Sequence, residues 1–167
     1  MPGGVRNELT LADAAKLYAA VSNGKALSGK PRTTFFNTLV GGIQPASSPW
    51  GLVVKQEAAK VHKSAILAKF LSHLNVRWKA GSYTFCLAGS CVPCKLDLAL
   101  TGWISIPFMH KGKVSAHTYE FGDFVNDLPE FCTSCAAQTS AFNNLENAGA
   151  EAARTAIRQA LATWPKS

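Results

Sequence analysis

The sequence predicts an α+β fold, in which helices pack on a small antiparallel sheet of three to four strands. Two observations lead to this prediction. Apolar residues recur at helical spacing near both ends of the chain, whereas apolar and polar residues alternate through much of its middle. The length of 167 residues is enough to bury a core without disulfides, and we expect a single domain over residues 1–167.

The first helix is predicted to begin after Thr10, because Thr10 and Asp13 have the spacing of a helix N-cap. Apolar residues then recur at helical spacing until Asn23-Gly24, a pair that ends helices. The segment that follows, residues 24–50, is rich in glycine, serine, proline and lysine. We expect it to form an extended basic linker or arm.

A second helix is predicted over residues 56–74. Its apolar side chains share one face of the helix: Ile66, Leu67, Phe70, Leu71 and Leu74. Its basic side chains form a stripe along one edge of that face: Lys55, His62, Lys69 and His73. Lys63 falls within the apolar face, so we expect its side chain to extend along the apolar surface until the ammonium group reaches water.

The predicted sheet follows this helix. Alternating residues indicate strands over residues 76–79, 82–85 and 95–106. The sequence of residues 110–113, His-Lys-Gly-Lys, is typical of a hairpin turn, and residues 114–121 supply the next strand. We expect these strands to form an antiparallel meander.

A final helix is predicted over residues 143–164. This segment is rich in alanine, and its small and apolar side chains recur at helical spacing. Pro165 ends the helix because proline does not continue one. The small residues allow the helix to pack closely on the sheet.

Two Cys-x-x-Cys pairs are the most specific chemical pattern in the sequence. They consist of Cys91 with Cys94 and Cys132 with Cys135, and they flank the predicted hairpin within a cysteine-bearing lobe, residues 86–135. If the ends of the hairpin lie side by side, the four sulfurs converge as in a zinc ribbon. We therefore predict a structural zinc ion held by these four cysteines.

Two alternatives to zinc stay open. The cysteines of the two pairs form disulfides or remain unligated in the core. The spacing Cys86-x4-Cys91-x2-Cys94 also resembles the cluster loop of plant-type ferredoxins. That resemblance implies a [2Fe–2S] electron-transfer protein, with Cys132 or Cys135 as the fourth ligand.

The positive charge is concentrated in the first half of the chain. Residues 1–79 contain eleven Lys or Arg and three Asp or Glu, a net charge of +8, whereas residues 80–167 have a net charge of −1. Such asymmetry is typical of proteins that bind polyanions, although a solvated basic surface produces it too. The residues predicted to contact the phosphates of RNA or DNA are Lys25, Lys30, Arg32, Lys55, Lys60, Lys63, Lys69, Arg77 and Lys79.

Nothing in the sequence indicates catalysis. The motifs GxSxG, HExxH, GxGxxG and the P-loop are absent. A zinc ion with four cysteine ligands also lacks an open coordination position. We therefore expect a protein that is not an enzyme and has no small-molecule substrate.

Two functional hypotheses follow. In the first, the chain is a zinc-stabilised basic subunit that binds nucleic acid within a larger nucleoprotein complex. In the second, it is a structural or assembly protein of a virion or multiprotein complex and contacts other protein subunits only. Residues 1–8 lack a secretory signal, and the longest apolar stretch, residues 96–109, is too short to span a membrane. We expect an intracellular protein, cytoplasmic or virion-associated, without membrane contact.

Overall fold

The computed structural model describes residues 10–85, 95–129 and 135–165. Within these residues the chain forms six α-helices and one four-stranded antiparallel sheet, so the predicted α+β class is confirmed. The strands pair in chain order, which is the predicted meander. In the same part of the chain, no helix is both long enough and apolar enough to cross a bilayer.

The helices, in chain order, are α1 (Leu11–Ser22), α2 (Gly29–Thr38), α3 (Pro49–Lys60), α4 (Leu67–Leu71), α5 (Cys135–Ala152) and α6 (Arg154–Thr163). The strands are β1 (Val40–Ile43), β2 (Asn75–Phe85), β3 (Lys95–His110) and β4 (Lys113–Pro129). One turn of 3₁₀ helix, Ser64–Ile66, precedes α4.

Helices cover both faces of the sheet. Successive side chains of each strand point to opposite faces, so alternate residues belong to different cores. On one side, which we call the α3 face, the core lies under α3, α4, α5 and α6. The even-numbered apolar residues of β3 that are buried there are Leu96, Leu98, Leu100, Ile104 and Ile106. On the other side, the α1 face, Trp103 is buried under α1 and α2.

The first helix begins and ends where the sequence predicts. The Thr10 hydroxyl accepts a hydrogen bond from the Asp13 amide at 3.1 Å, and the helix ends at Ser22 with Asn23 as its C-cap. Tyr18 fixes α1 to the centre of β3, because its carbonyl oxygen accepts a hydrogen bond from Trp103 Nε1 at 3.1 Å. The end of α1 also contacts β4, because the Ser22 hydroxyl donates to Glu120 Oε1 at 3.2 Å.

The prediction of an extended linker over residues 24–50 is wrong. This segment contains α2, β1 and the start of α3. Phe36 stacks on Trp103 with ring centroids 4.3 Å apart, and Arg77 Nη1 donates to the Phe36 carbonyl oxygen at 3.1 Å. Contacts with residues far along the chain therefore stabilise a helix whose own sequence is a weak helix former.

The single helix predicted over residues 56–74 is also wrong. The first helix in this region, α3, starts earlier, at Pro49, and ends at Lys60. His62 then adopts a positive φ of 58°, which a continuous helix does not allow. The break separates the residues of the predicted basic stripe, because α3 and α4 are separate helices.

The hairpin turn is where the sequence predicts it. His110 pairs with Lys113, and the two residues between them have positive φ angles of 48° at Lys111 and 78° at Gly112. These angles define a type I′ turn, whose twist matches that of the flanking strands. The strands themselves extend further than predicted, because β4 remains paired with β3 as far as Pro129.

The carboxy-terminal helix is two helices. The first, α5, begins at Cys135, eight residues before the predicted start, and the chain bends at Ala153 before α6. Trp164 is the C-cap of α6, and its indole Nε1 donates to the Pro107 carbonyl oxygen at 3.0 Å. Pro165 follows the last helix, as predicted.

Gly102 allows β2 and β3 to approach closely. A Cβ atom at this position would collide with the Arg77 carbonyl oxygen and lie 2.7 Å from Trp78 Cα. We expect Gly102→Ala to destabilise the protein by about 1–3 kcal/mol, the usual cost of overpacking. Urea denaturation measures this change. Gly81→Ala is the control, since a Cβ atom at Gly81 meets nothing within 4 Å, and equal stability of the two variants would contradict the prediction.

Candidate metal centre and nucleic-acid interface

Both chain segments that carry the cysteine pairs start from the same end of the sheet. Phe85, at the end of β2, pairs with Lys95 at the start of β3, and Lys95 pairs in turn with Pro129 at the end of β4. The connection over residues 86–94 and the connection over residues 130–134 are therefore anchored side by side.

The strand pairing limits the distance between the two points at which the cysteine-bearing connections leave the sheet. Paired Cα atoms of antiparallel strands lie about 4.5–5.5 Å apart. Cys94 directly precedes Lys95, and Cys132 follows Pro129 by three residues, which span at most about 10 Å. Cys135 is the first residue of α5. The two connections thus leave the sheet from neighbouring points.

The ligand atoms themselves lie outside what the structure describes. Cys86, Cys91, Cys94 and Cys132 fall outside the described residues, and of Cys135 only the backbone is described. Within the described residues, no group of three or more His, Cys, Asp or Glu side chains is arranged to hold a metal ion. The zinc site, the disulfides and the [2Fe–2S] cluster therefore stay predictions.

The nine predicted phosphate contacts do not lie on one surface. Those on the α1 face are Lys25, Lys30, Arg32, Arg77 and Lys79, and those on the helices of the α3 face or the turn between them are Lys55, Lys60, Lys63 and Lys69. The sheet separates the two groups. A ligand that contacts all nine would have to pass around an edge of the sheet.

Three of the nine cations stabilise helix C-termini. Each donates to a carbonyl oxygen at the end of a helix: Arg32 to Ser22, Arg77 to Phe36 and Lys63 to Trp164. The last turn of a helix leaves carbonyl groups unpaired and carries a partial negative charge, so a cation there is favourable. Lys63 is only 8% exposed, which contradicts the expectation that its ammonium group reaches water.

A fourth cation, Lys60, belongs to an ion cluster around Glu57. The Glu57 carboxylate is fully buried and accepts hydrogen bonds from Arg158 Nε at 2.5 Å, Arg154 Nη1 at 2.6 Å and Lys60 Nζ at 2.8 Å. Arg154 also pairs with Glu151. The bond from Arg158, with those from Lys60 and Arg154, lowers the pKa of Glu57 to about 2 despite its burial. The cluster joins α3 to α5 and α6.

The other five predicted contacts are exposed lysines: Lys25, Lys30, Lys55, Lys69 and Lys79. None of them lies within 4.0 Å of a carboxylate in the part of the chain that the structure describes. Several carboxylates are already bound elsewhere, such as Glu57 in its cluster and Asp13 at the Thr10 cap and Lys16. The excess of positive charge therefore faces solvent.

A second basic region, which the sequence did not predict, lies at the tip of the β3–β4 hairpin. A groove of about 510 Å³ lies there between the hairpin and the end of α6, and its lining includes Phe108, His110, Lys111, Lys113, His117 and Thr163. The sequence assigned His110 and Lys111 only to a turn. The absence of Asp and Glu from residues 98–119 was the available signal.

No known protein-family model matches this chain, and no curated protein sequence matches it.

Proposed function

We propose that this protein is a non-catalytic basic subunit that binds RNA or DNA through the phosphate backbone, within a larger nucleoprotein complex. One observation carries the proposal: five lysines are exposed and have no carboxylate partner among the described residues, whereas several carboxylates are held in internal contacts. Lysine is a flexible point charge that attracts phosphates without reading the base sequence.

The proposal includes a structural zinc ion at the cysteine end of the sheet. The pairing of Lys95 with Pro129 supports this part, because it anchors both cysteine-bearing connections at one place. Four thiolate ligands close the tetrahedral coordination of zinc, so the metal would stabilise the fold and take no part in catalysis. Thiolates stay reduced inside cells, and the proposal therefore places the protein in the cytoplasm or in a virion.

Neutralising three of the exposed lysines tests phosphate binding. We expect the triple variant Lys25→Gln, Lys30→Gln, Lys79→Gln to bind a fluorescein-labelled 20-nucleotide single strand roughly tenfold or more weakly at 100 mM salt. Each lost phosphate contact reduces the slope of log affinity against log salt by about 0.7, so the slope should fall by about 2. Fluorescence anisotropy at a series of NaCl concentrations measures both quantities.

The matched control is Lys16→Gln. Lys16 is also an exposed lysine, but its ammonium group lies 3.5 Å from the Asp13 carboxylate, so its charge is already balanced. We expect this variant to keep the wild-type slope. A triple variant that binds with wild-type affinity and slope would sink the phosphate-binding proposal.

A second candidate is a structural or assembly protein that contacts only other protein subunits. The edge strand β1 favours it, because Val40 is 58% exposed and Ile43 is 55% exposed there. An exposed apolar edge strand is a usual place for contact with another chain. A wild-type protein that shows no salt-dependent binding to single strands or duplexes would favour this candidate over nucleic-acid binding.

A further inference from the structure

The groove at the tip of the β3–β4 hairpin is lined by none of the nine residues that the sequence predicts for phosphate contact. We propose that it holds a segment of single-stranded nucleic acid, with a base stacked on His117 and phosphates bound by Lys111 and Lys113. This inference rests on the proposed function, and it names the type of nucleic acid and the place of contact.

Two hydrogen bonds attach the hairpin wall of the groove to the end of α6. The Met109 amide donates to the Thr163 hydroxyl at 2.8 Å, and Trp164 Nε1 donates to the Pro107 carbonyl oxygen at 3.0 Å. Trp164 itself is buried. The type I′ turn at Lys111 then sets where the two lysines project. A preorganised site loses less entropy when a ligand binds.

The electrostatics of the groove favour an anion. Lys111 and Lys113 line it together with His110 and His117, and no carboxylate is among the lining residues. The buried ammonium of Lys63 adds a positive charge on the Trp164 carbonyl oxygen, next to the lining residue Thr163. Residues 98–119 and 152–167 contain no Asp or Glu. A phosphate that enters the groove therefore meets only cations and neutral groups from its walls.

An aromatic pair supplies the surface for a base. The rings of Phe108 and His117 are stacked, with centroids 4.2 Å apart and an angle of 21° between their planes. His117 is exposed, whereas Phe108 is half-buried, so a base can continue the stack on the His117 ring. Bases of a single strand are free to stack on protein side chains, while those of a duplex already stack on each other. The groove should therefore prefer single strands.

The volume of the groove agrees with such a ligand. At about 510 Å³ it lies within the usual range for pockets that bind small organic ligands, which is about 300–1,000 Å³. The groove therefore has room for on the order of one or two nucleotides. The remainder of a longer nucleic-acid strand would lie on the protein surface.

The test compares two double variants, each of which removes two positive charges, with single variants of the stacking residue His117. The hairpin pair is Lys111→Asn with Lys113→Gln, in which asparagine is chosen because it tolerates the positive φ of residue 111 before Gly112. The reference pair is Lys25→Gln with Lys30→Gln, on the α1 face. The stacking variants are His117→Ala and His117→Phe, of which only the second keeps an aromatic ring.

Binding is measured by fluorescence anisotropy with a labelled 20-nucleotide oligothymidine and a labelled 20-base-pair duplex. We expect the hairpin pair of substitutions to weaken single-strand binding at least tenfold and to lower the slope of log affinity against log salt by about 1.4. The ratio of single-strand to duplex affinity should also fall. His117→Ala should weaken single-strand binding roughly fivefold or more, the loss of one base–aromatic stack, and His117→Phe should restore it. The reference pair should leave the ratio of single-strand to duplex affinity unchanged.

The outcomes separate this inference from the proposed function. A wild-type protein that binds neither probe at 50 mM salt contradicts both. A wild-type protein that binds, with a hairpin pair that keeps the wild-type affinity and the single-strand preference, overturns only the inference. Displacement of the oligonucleotide by a mononucleotide at matched total phosphate concentration would also overturn it, since the groove would then hold free nucleotides.

Discussion

Replacing Cys132 with serine is expected to release one zinc ion per chain and to unfold the cysteine end of the sheet. A structural zinc ion contributes an apparent binding free energy of about 10–16 kcal/mol, which is comparable to the whole stability of a small domain. Metal analysis and a visible spectrum of anaerobically purified protein give the metal content. Thermal melting gives the loss of stability.

Cys86→Ser is the matched control for this experiment. Four ligands suffice for zinc, so the Cys86 variant should retain the metal and melt like the wild type. If the cysteines hold a [2Fe–2S] cluster with the spacing of plant-type ferredoxins, the Cys86 variant should instead lose iron and its charge-transfer absorption. A wild-type protein without metal, or a Cys132 variant with unaltered metal content and melting, would rule out the zinc site.

Removal of the buried Glu57 carboxylate should have the second large effect. Glu57→Ala leaves the half-buried Arg154 without one of its partners and removes the ion pairs that join α3 to α6. Breaking a buried ion pair by removing one partner costs about 3–5 kcal/mol, and we expect the lower end because Arg158 is half exposed. Chemical denaturation at pH 7 measures the loss.

The contribution of Glu57 also depends on pH. Its pKa is lowered from 4.5 to about 2 in the folded protein, so the unfolded chain takes up a proton more readily than the folded one. The stabilisation is therefore complete above about pH 4.5 and is lost as the pH falls towards 2. We expect the difference in stability between wild type and Glu57→Gln to shrink over this range.

Glu151→Gln serves as the comparison for both measurements on Glu57. Glu151 also pairs with Arg154, but its side chain is 58% exposed, so solvent screens this ion pair. Its replacement should change stability little. Equal losses in the Glu57 and Glu151 variants would show that burial of the cluster does not matter.

Local signals account for the parts of the fold that the sequence predicts. Thr10 caps α1 through a contact with a residue three positions away, and Gly112 permits the type I′ turn by its own conformational freedom. Strand alternation likewise depends on neighbours in sequence. Each of these features is therefore visible without knowledge of the tertiary structure.

Long-range contacts explain what the sequence does not predict. The helix α2 depends on Trp103, which lies more than 60 residues further along the chain, and its own composition resembles a linker. The break after α3 accompanies the burial of Lys63 against Trp164, about 100 residues away. Helical periodicity continues through this break, so pattern alone indicates one helix.

The same limit applies to the candidate site. Arg77 and Lys79 look alike in the sequence, yet Arg77 binds the end of α2 while Lys79 is exposed. Only the fold shows which cations are used internally. Conversely, the groove at the hairpin tip depends on Thr163 of α6 facing Lys111 of the turn, and no local pattern indicates that the two are close.

The length of the β3–β4 hairpin makes the register of its two strands important. Its strands run for 16 and 17 residues, roughly 50 Å, from the cysteine-bearing connections to the type I′ turn. A slip of one residue between them would turn every side chain of β4 to the opposite face of the sheet. The turn locks the alignment at one end, and a metal at the other end would lock it a second time. Loss of the metal would remove the second constraint, and the turn with the packing of the helices would then hold the strands in register alone.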